Sequence, residues 1–110
     1  MTKLDLIEAI GDIITEIDIA RGSMLPSDPN RHQLDDYRLL LDDRQRKLTE
    51  SVFNEDTPQF KTAAQQVQKI NAQLTGTIKK LTDLQNTLTK IKEFLDSISG
   101  LLALAVPLVL

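Results

Sequence analysis

The stretch from Phe60 to Ala105 reads FKTAAQQVQKINAQLTGTIKKLTDLQNTLTKIKEFLDSISGLLALA. Apolar residues recur in it at alternating spacings of three and four, and only Thr77 places a polar side chain in the pattern. A seven-residue repeat sustained over about six heptads is typical of helices that supercoil against partners. The stretch therefore predicts one very long helix, over about residues 58–99, with a continuous apolar seam.

The middle of this stretch is weaker, because Thr75-Gly76-Thr77-Ile78 combines a glycine with β-branched residues. Two interpretations are open. Thr77 can form a polar layer that sets the register of a continuous helix, or the segment can act as a hinge. We favour the polar layer.

The composition favours a single all-α domain over residues 1–110. Only 4% of the residues are aromatic, and 4 glycines and 4 prolines are too few for the many turns of an all-β fold. Cysteine is absent, so disulfides and thiolate metal sites are excluded.

Helix one is predicted over about residues 2–22. Thr2 can cap its first turn, and its apolar stripe is wide enough to contact two neighbouring helices. Pro26 and Pro29 then interrupt any regular helix. Helix two therefore begins as a separate element.

Helix two is predicted over about residues 29–53, and a turn signal at 54–58 leads into helix three. If these helices fold back on each other, facing residues have numbers with a constant sum. Six facing pairs of seam residues, including Leu41 with Ile70, have residue numbers that add to 111. The predicted fold is thus an elongated antiparallel helical hairpin or coiled coil of three helices, the third very long.

Helix three extends past helix two, and this extension carries the fullest part of the seam. We expect helix one to lie antiparallel along the far half of helix three. The alternative is that it turns back beside the hairpin and leaves the extension to another subunit. Either arrangement leaves apolar surface uncovered. We expect a homo-oligomer or a protein partner, bound through the C-terminal half of helix three and the following residues: Leu81, Leu84, Leu88, Ile91, Leu95, Ile98, Leu101, Leu102, Leu104 and Val106.

The tail over residues 100–110 is apolar, and no charged side chain follows Asp96. It is too short to span a bilayer, which takes about 20 residues, and Pro107 interrupts it. Two interpretations stay open. The tail either completes a core or inserts shallowly into a membrane or a partner protein.

Charge is unevenly divided along the chain. Residues 1–57 carry seven basic and thirteen acidic residues, whereas residues 58–110 carry six lysines and three acids. The two parts should attract each other. The lysines are scattered, without arginine or interleaved aromatic residues, so we expect no nucleic-acid binding.

The acidic residues Asp5, Glu8 and Asp12 near the start do not fit a secretory signal peptide. We expect a cytoplasmic protein, or one that is exported without a classical signal peptide.

Catalytic and cofactor motifs were not found in the sequence: it has no phosphate-binding loop, no nucleophile with a histidine base and no HExxH. The pairs Asp35-Asp36 and Asp42-Asp43 are typical of a solvated helix face rather than of a metal site. We therefore expect no enzyme, no cofactor and no metal. The leading hypothesis is a non-enzymatic coiled-coil assembly protein. The alternative is a membrane-active helical protein, either a pore-forming-like component or one that associates with membranes through its apolar C-terminal end.

Overall fold

The computed structural model describes residues 2–78 and 83–106. Within these residues the chain forms four α-helices: α1 (Lys3–Gly22), α2 (Pro29–Glu50), α3 (Pro58–Leu74) and α4 (Leu84–Leu102). The protein is all-α and folds as a helical bundle with dimensions of 47 × 27 × 17 Å. The prediction of three helices with a very long third is wrong, because residues 58–99 divide into α3 and most of α4.

The break between α3 and α4 has a backbone cause. Gly76 takes a φ of +80°, which lies outside the helical range and which glycine adopts without a steric penalty. The Thr77 N–H donates to the Leu74 carbonyl over 3.0 Å and closes the turn. Thr75 to Ile78 therefore end a helix, and the interpretation as a polar layer inside a continuous helix is wrong.

The second helix of the divided stretch has its own start signal. The Asp83 side chain caps α4 by accepting a hydrogen bond from the Asn86 N–H over 3.3 Å. A side-chain oxygen in this position satisfies one of the donors that every helix start leaves unpaired. Leu81, which was assigned to the seam, lies outside the described residues.

The predicted cap of helix one is confirmed. The Thr2 hydroxyl accepts a hydrogen bond from the Asp5 N–H, and the Thr2 N–H donates to the Asp5 carboxylate over 2.8 Å. This backbone hydrogen bond holds the pKa of the Asp5 carboxyl below its ordinary value. The reciprocal pair forms a capping box, which fixes where α1 begins.

Helix α2 ends earlier than the sequence pattern predicts. Ser51 has an extended backbone, and its N–H donates to the Leu48 carbonyl over 3.2 Å. The Ser51 hydroxyl donates in turn to the Lys47 carbonyl over 2.6 Å. Hydroxyl side chains compete in this way with the helical hydrogen bonds, so residues 51–53 leave the helix.

The helices pack as two hairpins. Helix α1 packs against α2, and α3 packs against α4; the hairpins then meet where α2 lies beside α4 and where α1 lies beside α3. Helices α2 and α3 lie on a diagonal of the bundle. The predicted antiparallel hairpin of helices two and three, with facing numbers that add to 111, is therefore wrong.

Polar contacts identify α4 as the neighbour of α2. The Arg44 guanidinium donates to the Ser99 hydroxyl over 3.1 Å near one end of the bundle, and Gln85 lies 3.5 Å from Asn30 near the other. Arg44 and Ser99 lie near the C-terminal ends of α2 and α4, and Asn30 and Gln85 lie near their N-terminal ends. Helices α2 and α4 therefore run parallel.

Helix α1 has two neighbours, as its wide apolar stripe predicts, and these are α2 and α3. The expectation that it lies along the far half of helix three is wrong, because that half is α4 and is covered by α2 and α3. Helix α1 also holds the turn after α3. The buried Glu16 carboxylate accepts a hydrogen bond from the Gly76 N–H over 2.8 Å.

The core draws on all four helices and includes large side chains outside the predicted seam, among them Ile78, Phe94 and Leu101. Phe94 is 0% exposed, so α4 buries a wider face than a narrow coiled-coil seam. The largest fully buried side chains described are Leu6, Ile10, Ile13, Ile17, Leu34, Leu41, Leu48, Phe60, Leu74, Ile78, Ile91 and Phe94.

After α4 the chain turns back to the connection between α2 and α3. The Val106 N–H donates to the Val52 carbonyl over 2.7 Å and forms an isolated antiparallel bridge. Of the predicted tail, Leu101 is buried in the core, while Leu104 and Val106 are exposed. Residues 107–110 lie outside the described part of the chain.

Candidate interaction surface

The structure separates the predicted interaction residues into two groups. Five side chains lie in the chain's own core, and two more are partly buried against it, so other helices of the same chain cover them. Leu104 and Val106 are 37% and 44% exposed. The covered residues are Leu88, Ile91, Leu95, Ile98 and Leu101, with Leu84 and Leu102 at the edge of the core.

An open groove runs between α3 and α4, and we call it the α3–α4 groove. Its volume is about 660 Å³. The chain has 26% charged residues, yet none of the described residues that line this groove carries a charge. They are Pro58, Gln59, Thr62, Ala63 and Gln66 on the α3 side, and Ser97, Gly100 and Leu104 on the α4 side.

Small side chains keep this groove open. Gly100 lies in the last turns of α4, and a Cβ added there would meet no atom within 4 Å. Ala63 and Ser97 are also short. Depletion of charge together with space for a close approach is typical of the centre of a protein–protein contact.

The sequence contains a pattern that indicates this groove and that the heptad repeat does not record. Helix α3 contains no acidic residue, and its exposed positions are mostly glutamine and lysine. Ser97 and Gly100 on α4, and Leu104 just after it, follow one another at helical spacing. Uncharged and small residues on two adjacent helices mark the groove, but only once the helices are known to be neighbours.

A second apolar surface lies at the end of the bundle where α1 begins. Leu4 is 73% exposed and Val52 is 50% exposed. Both side chains line a shallow cleft, and Phe53 lines the same cleft. The backbone bridge to Val52 brings Val106 to the same end. This end of the bundle therefore exposes apolar side chains from three separate parts of the chain.

The outer face of the α1–α2 hairpin is built from ion pairs. The Arg38 guanidinium lies 2.7 Å from the Asp18 carboxylate, which raises the pKa of Arg38 above its ordinary value. Arg21 bridges Asp18 and Asp35. These charged side chains surround Leu39, which is 67% exposed.

One of the acidic pairs on α2 is also engaged with basic side chains. Asp43 lies 3.1 Å from the Lys47 ammonium and 2.7 Å from the Arg46 guanidinium, and these partners lower the pKa of its carboxyl. Among residues 2–78 and 83–106, no three acidic or histidine side chains come together as a metal site. Asp18, Asp35 and Asp43 on this face form ion pairs at the surface.

Comparisons with models of protein families, with curated proteins and with solved structures found no match to this chain. Across the described residues, no helix has both the length and the apolar character needed to cross a membrane.

Proposed function

We propose that this protein is a non-enzymatic helical bundle whose function is association, either with copies of itself or as a subunit of a larger complex. The observation that carries this proposal is the α3–α4 groove, which is open and which has no charged side chain among its described lining residues. Exposed grooves of this kind are atypical of a surface that faces only water, because charged residues are normally abundant there.

The absence of recognisable catalytic motifs in the sequence supports a role without catalysis. The groove also replaces the predicted contact surface on the C-terminal half of helix three, since most of that surface is core. Leu104 belongs to both the predicted surface and the groove.

Replacing Thr62 with glutamate should prevent self-association. Thr62 is exposed and lines the groove, so glutamate there places a charge in the contact without disturbing the core. We expect wild-type protein at tens of micromolar to scatter light as a dimer or larger species, and the variant to scatter as a monomer. Burial of an unpaired charge in an interface costs several kcal/mol, roughly a hundredfold or more in affinity.

The matched control is Thr49→Glu, because Thr49 is an exposed threonine on α2, away from the groove. It should keep the wild-type mass. Both variants should melt close to the wild-type temperature, since surface substitutions usually change stability by less than about 0.5 kcal/mol. A wild-type protein that stays monomeric at these concentrations would contradict self-association.

A second candidate function, membrane association, is supported by the apolar end of the bundle. Leu104 and Val106 are exposed there, near Leu4 and Val52. Such side chains can enter the boundary between headgroups and acyl chains without spanning the bilayer. This candidate uses the residues 100–110 that the sequence assigned to membrane contact.

Flotation with liposomes tests the second candidate. We expect wild-type protein to float with phosphatidylcholine vesicles if this function is correct, and the double variant Leu104→Asp with Val106→Asp to stay at the bottom of the gradient. Both substitutions are at exposed positions, so the melting temperature should change little. Wild-type protein that does not float at all would eliminate the candidate.

A further inference from the structure

The Glu16 carboxylate is buried, but only one of its two oxygens has a partner. Glu16 is 7% exposed, and its Oε1 accepts the hydrogen bond from the Gly76 N–H over 2.8 Å. Its Oε2 is also buried and meets no hydrogen-bond donor among the described residues. Burial of a charged oxygen is unfavourable unless a donor or a cation replaces the water that it loses. Glu16 therefore keeps one oxygen available to a cation.

The cleft beside Glu16 is lined by hydrogen-bond acceptors, and its volume is about 260 Å³. The described residues that line it are Asp12, Thr15 and Glu16 on α1 and Thr75 at the end of α3. The Thr15 hydroxyl donates to the Gly11 carbonyl over 3.0 Å, and the Thr75 hydroxyl donates to the Asn71 carbonyl over 2.8 Å. A hydroxyl has only one hydrogen to donate, so both threonine oxygens are left as acceptors. These four side chains therefore offer the cleft acceptors and no donor.

The electrostatic potential in this cleft is negative from three sources. Asp12 and Glu16 are four residues apart, so their carboxylates lie on one face of α1, about 6 Å apart along the helix, and repel each other. Helix α3 ends beside them at Leu74, and the C-terminal end of a helix carries a partial negative charge. None of the described residues that line the cleft is basic. A cation is therefore the ligand that this cleft favours.

We propose that this cleft is a binding site for Mg²⁺. The carboxylates of Asp12 and Glu16 bind the ion, directly or through one of its waters. The hydroxyl oxygens of Thr15 and Thr75 accept hydrogen bonds from the remaining waters of its shell. Carboxylate and water oxygens suit Mg²⁺, Ca²⁺ and Mn²⁺, and of these Mg²⁺ keeps several waters and needs only one or two carboxylates. Asp12 is exposed, so the ion reaches the site from solvent.

A metal ion was not expected from the sequence, because Thr75 joins Asp12 and Glu16 only in the folded chain. Both carboxylates also lie apart from the acidic pairs on α2. Only two of the ligands are acids, so the site is smaller than the clusters of three acidic or histidine side chains that the described residues lack. Metal binding here goes beyond association and does not depend on it, because neither carboxylate lines the α3–α4 groove.

Isothermal titration calorimetry with MgCl2 tests the site on the full chain, after dialysis against EDTA and then against metal-free buffer. The wild type should bind one Mg²⁺ per chain, and MgCl2 should raise its melting temperature, because a ligand of the folded state stabilises that state. Asp12→Asn and Glu16→Gln should each lower the affinity by at least about tenfold, since loss of an outer-shell partner alone often costs that much. NaCl of equal ionic strength controls for screening of surface charges.

Glu8→Gln is the matched control, because Glu8 is an exposed glutamate on α1 that does not line the cleft, and it should bind Mg²⁺ like the wild type. If Glu16 only fixes the turn at Gly76, Glu16→Gln shifts the melting temperature equally with and without MgCl2, and the site is overturned. A wild type that binds no Mg²⁺, or an Asp12→Asn variant with unchanged affinity, overturns it as well. Tighter binding of CaCl2 than of MgCl2 overturns the assignment to Mg²⁺. A monomeric wild type that binds Mg²⁺ contradicts self-association alone.

Discussion

Replacing Phe94 with alanine is expected to lower the free energy of unfolding by about 3–5 kcal/mol, the range measured for large aromatic residues removed from protein cores. Phe94 is 0% exposed in the core of the bundle. Removing its ring forfeits the burial of the side chain and leaves a cavity that the surrounding helices fill only in part. A typical domain has only about 5–15 kcal/mol of stability in total, so much of the variant should be unfolded at moderate temperature.

Urea unfolding followed by circular dichroism measures this effect. The control is Phe53→Ala, because Phe53 is only partly buried, with its ring 5.4 Å from that of Phe60. The control should lose less than half as much stability. If both substitutions cost the same, Phe94 does not occupy the centre of the core, and the wide buried face of α4 is contradicted.

Replacing Gly76 with alanine should destabilise the protein by about 1–2 kcal/mol, because the φ of +80° is strained for any residue that has a Cβ. A Cβ at this position would meet no atom within 4 Å, so the effect comes from the backbone alone. In a continuous helix the same substitution would stabilise the protein, by up to about 1 kcal/mol. The sign of the change therefore distinguishes the observed fold from the predicted long helix.

The same substitution at Gly100 is the matched control for Gly76→Ala. Gly100 lies within α4 and also has open space around its Cβ position. Gly100→Ala should stabilise the protein by up to about 1 kcal/mol. Thermal melts of the two variants beside the wild type should move in opposite directions. A higher melting temperature for Gly76→Ala would show that the turn after α3 is not in the left-handed conformation.

The sequence was sufficient to predict the all-α class and the cap of α1, because both depend on local signals. Thr2 and Asp5 are three residues apart and satisfy each other, whatever the remainder of the chain does. The interruption of helix near Pro26 and Pro29 is equally local. These predictions required no knowledge of which helices are neighbours.

The long helix was predicted incorrectly because a heptad pattern records which face of a helix is apolar, not whether the helix continues. Residues such as Leu74 and Leu88 keep the pattern on both sides of the break and are both buried. An antiparallel hairpin of α3 and α4 uses the same faces as one long helix would. Gly76 and the cap at Asp83 were the signals that distinguished the two folds.

The constant sum of 111 failed for a related reason. When two helices both carry an apolar repeat of seven residues, their apolar residues can always be paired so that the paired residue numbers add to one constant. A constant sum therefore does not show that the two helices are neighbours. Leu41 and Ile70 are both buried, yet they belong to helices on a diagonal. The broad face of α4, which includes Phe94, fills the position beside α2 that the prediction gave to α3.

The candidate surface could be predicted only in part. Leu104 and Val106 were identified because the tail is apolar along its whole length, and both are exposed. The groove could not be predicted, because Ala63 and Gly100 become parts of one recess only when α3 and α4 lie side by side.

The diagonal position of α2 and α3 has a consequence for the chain as it is being synthesised. The first hairpin is complete before α3 exists, and α3, when it arrives, packs on α1 rather than on α2. The apolar stripe of Leu34, Leu41 and Leu48 is fully covered only when α4 lies beside it. On the ribosome, the stripe on α2 therefore stays partly uncovered until α4 has emerged, and apolar surface that is exposed during such an interval is prone to aggregate.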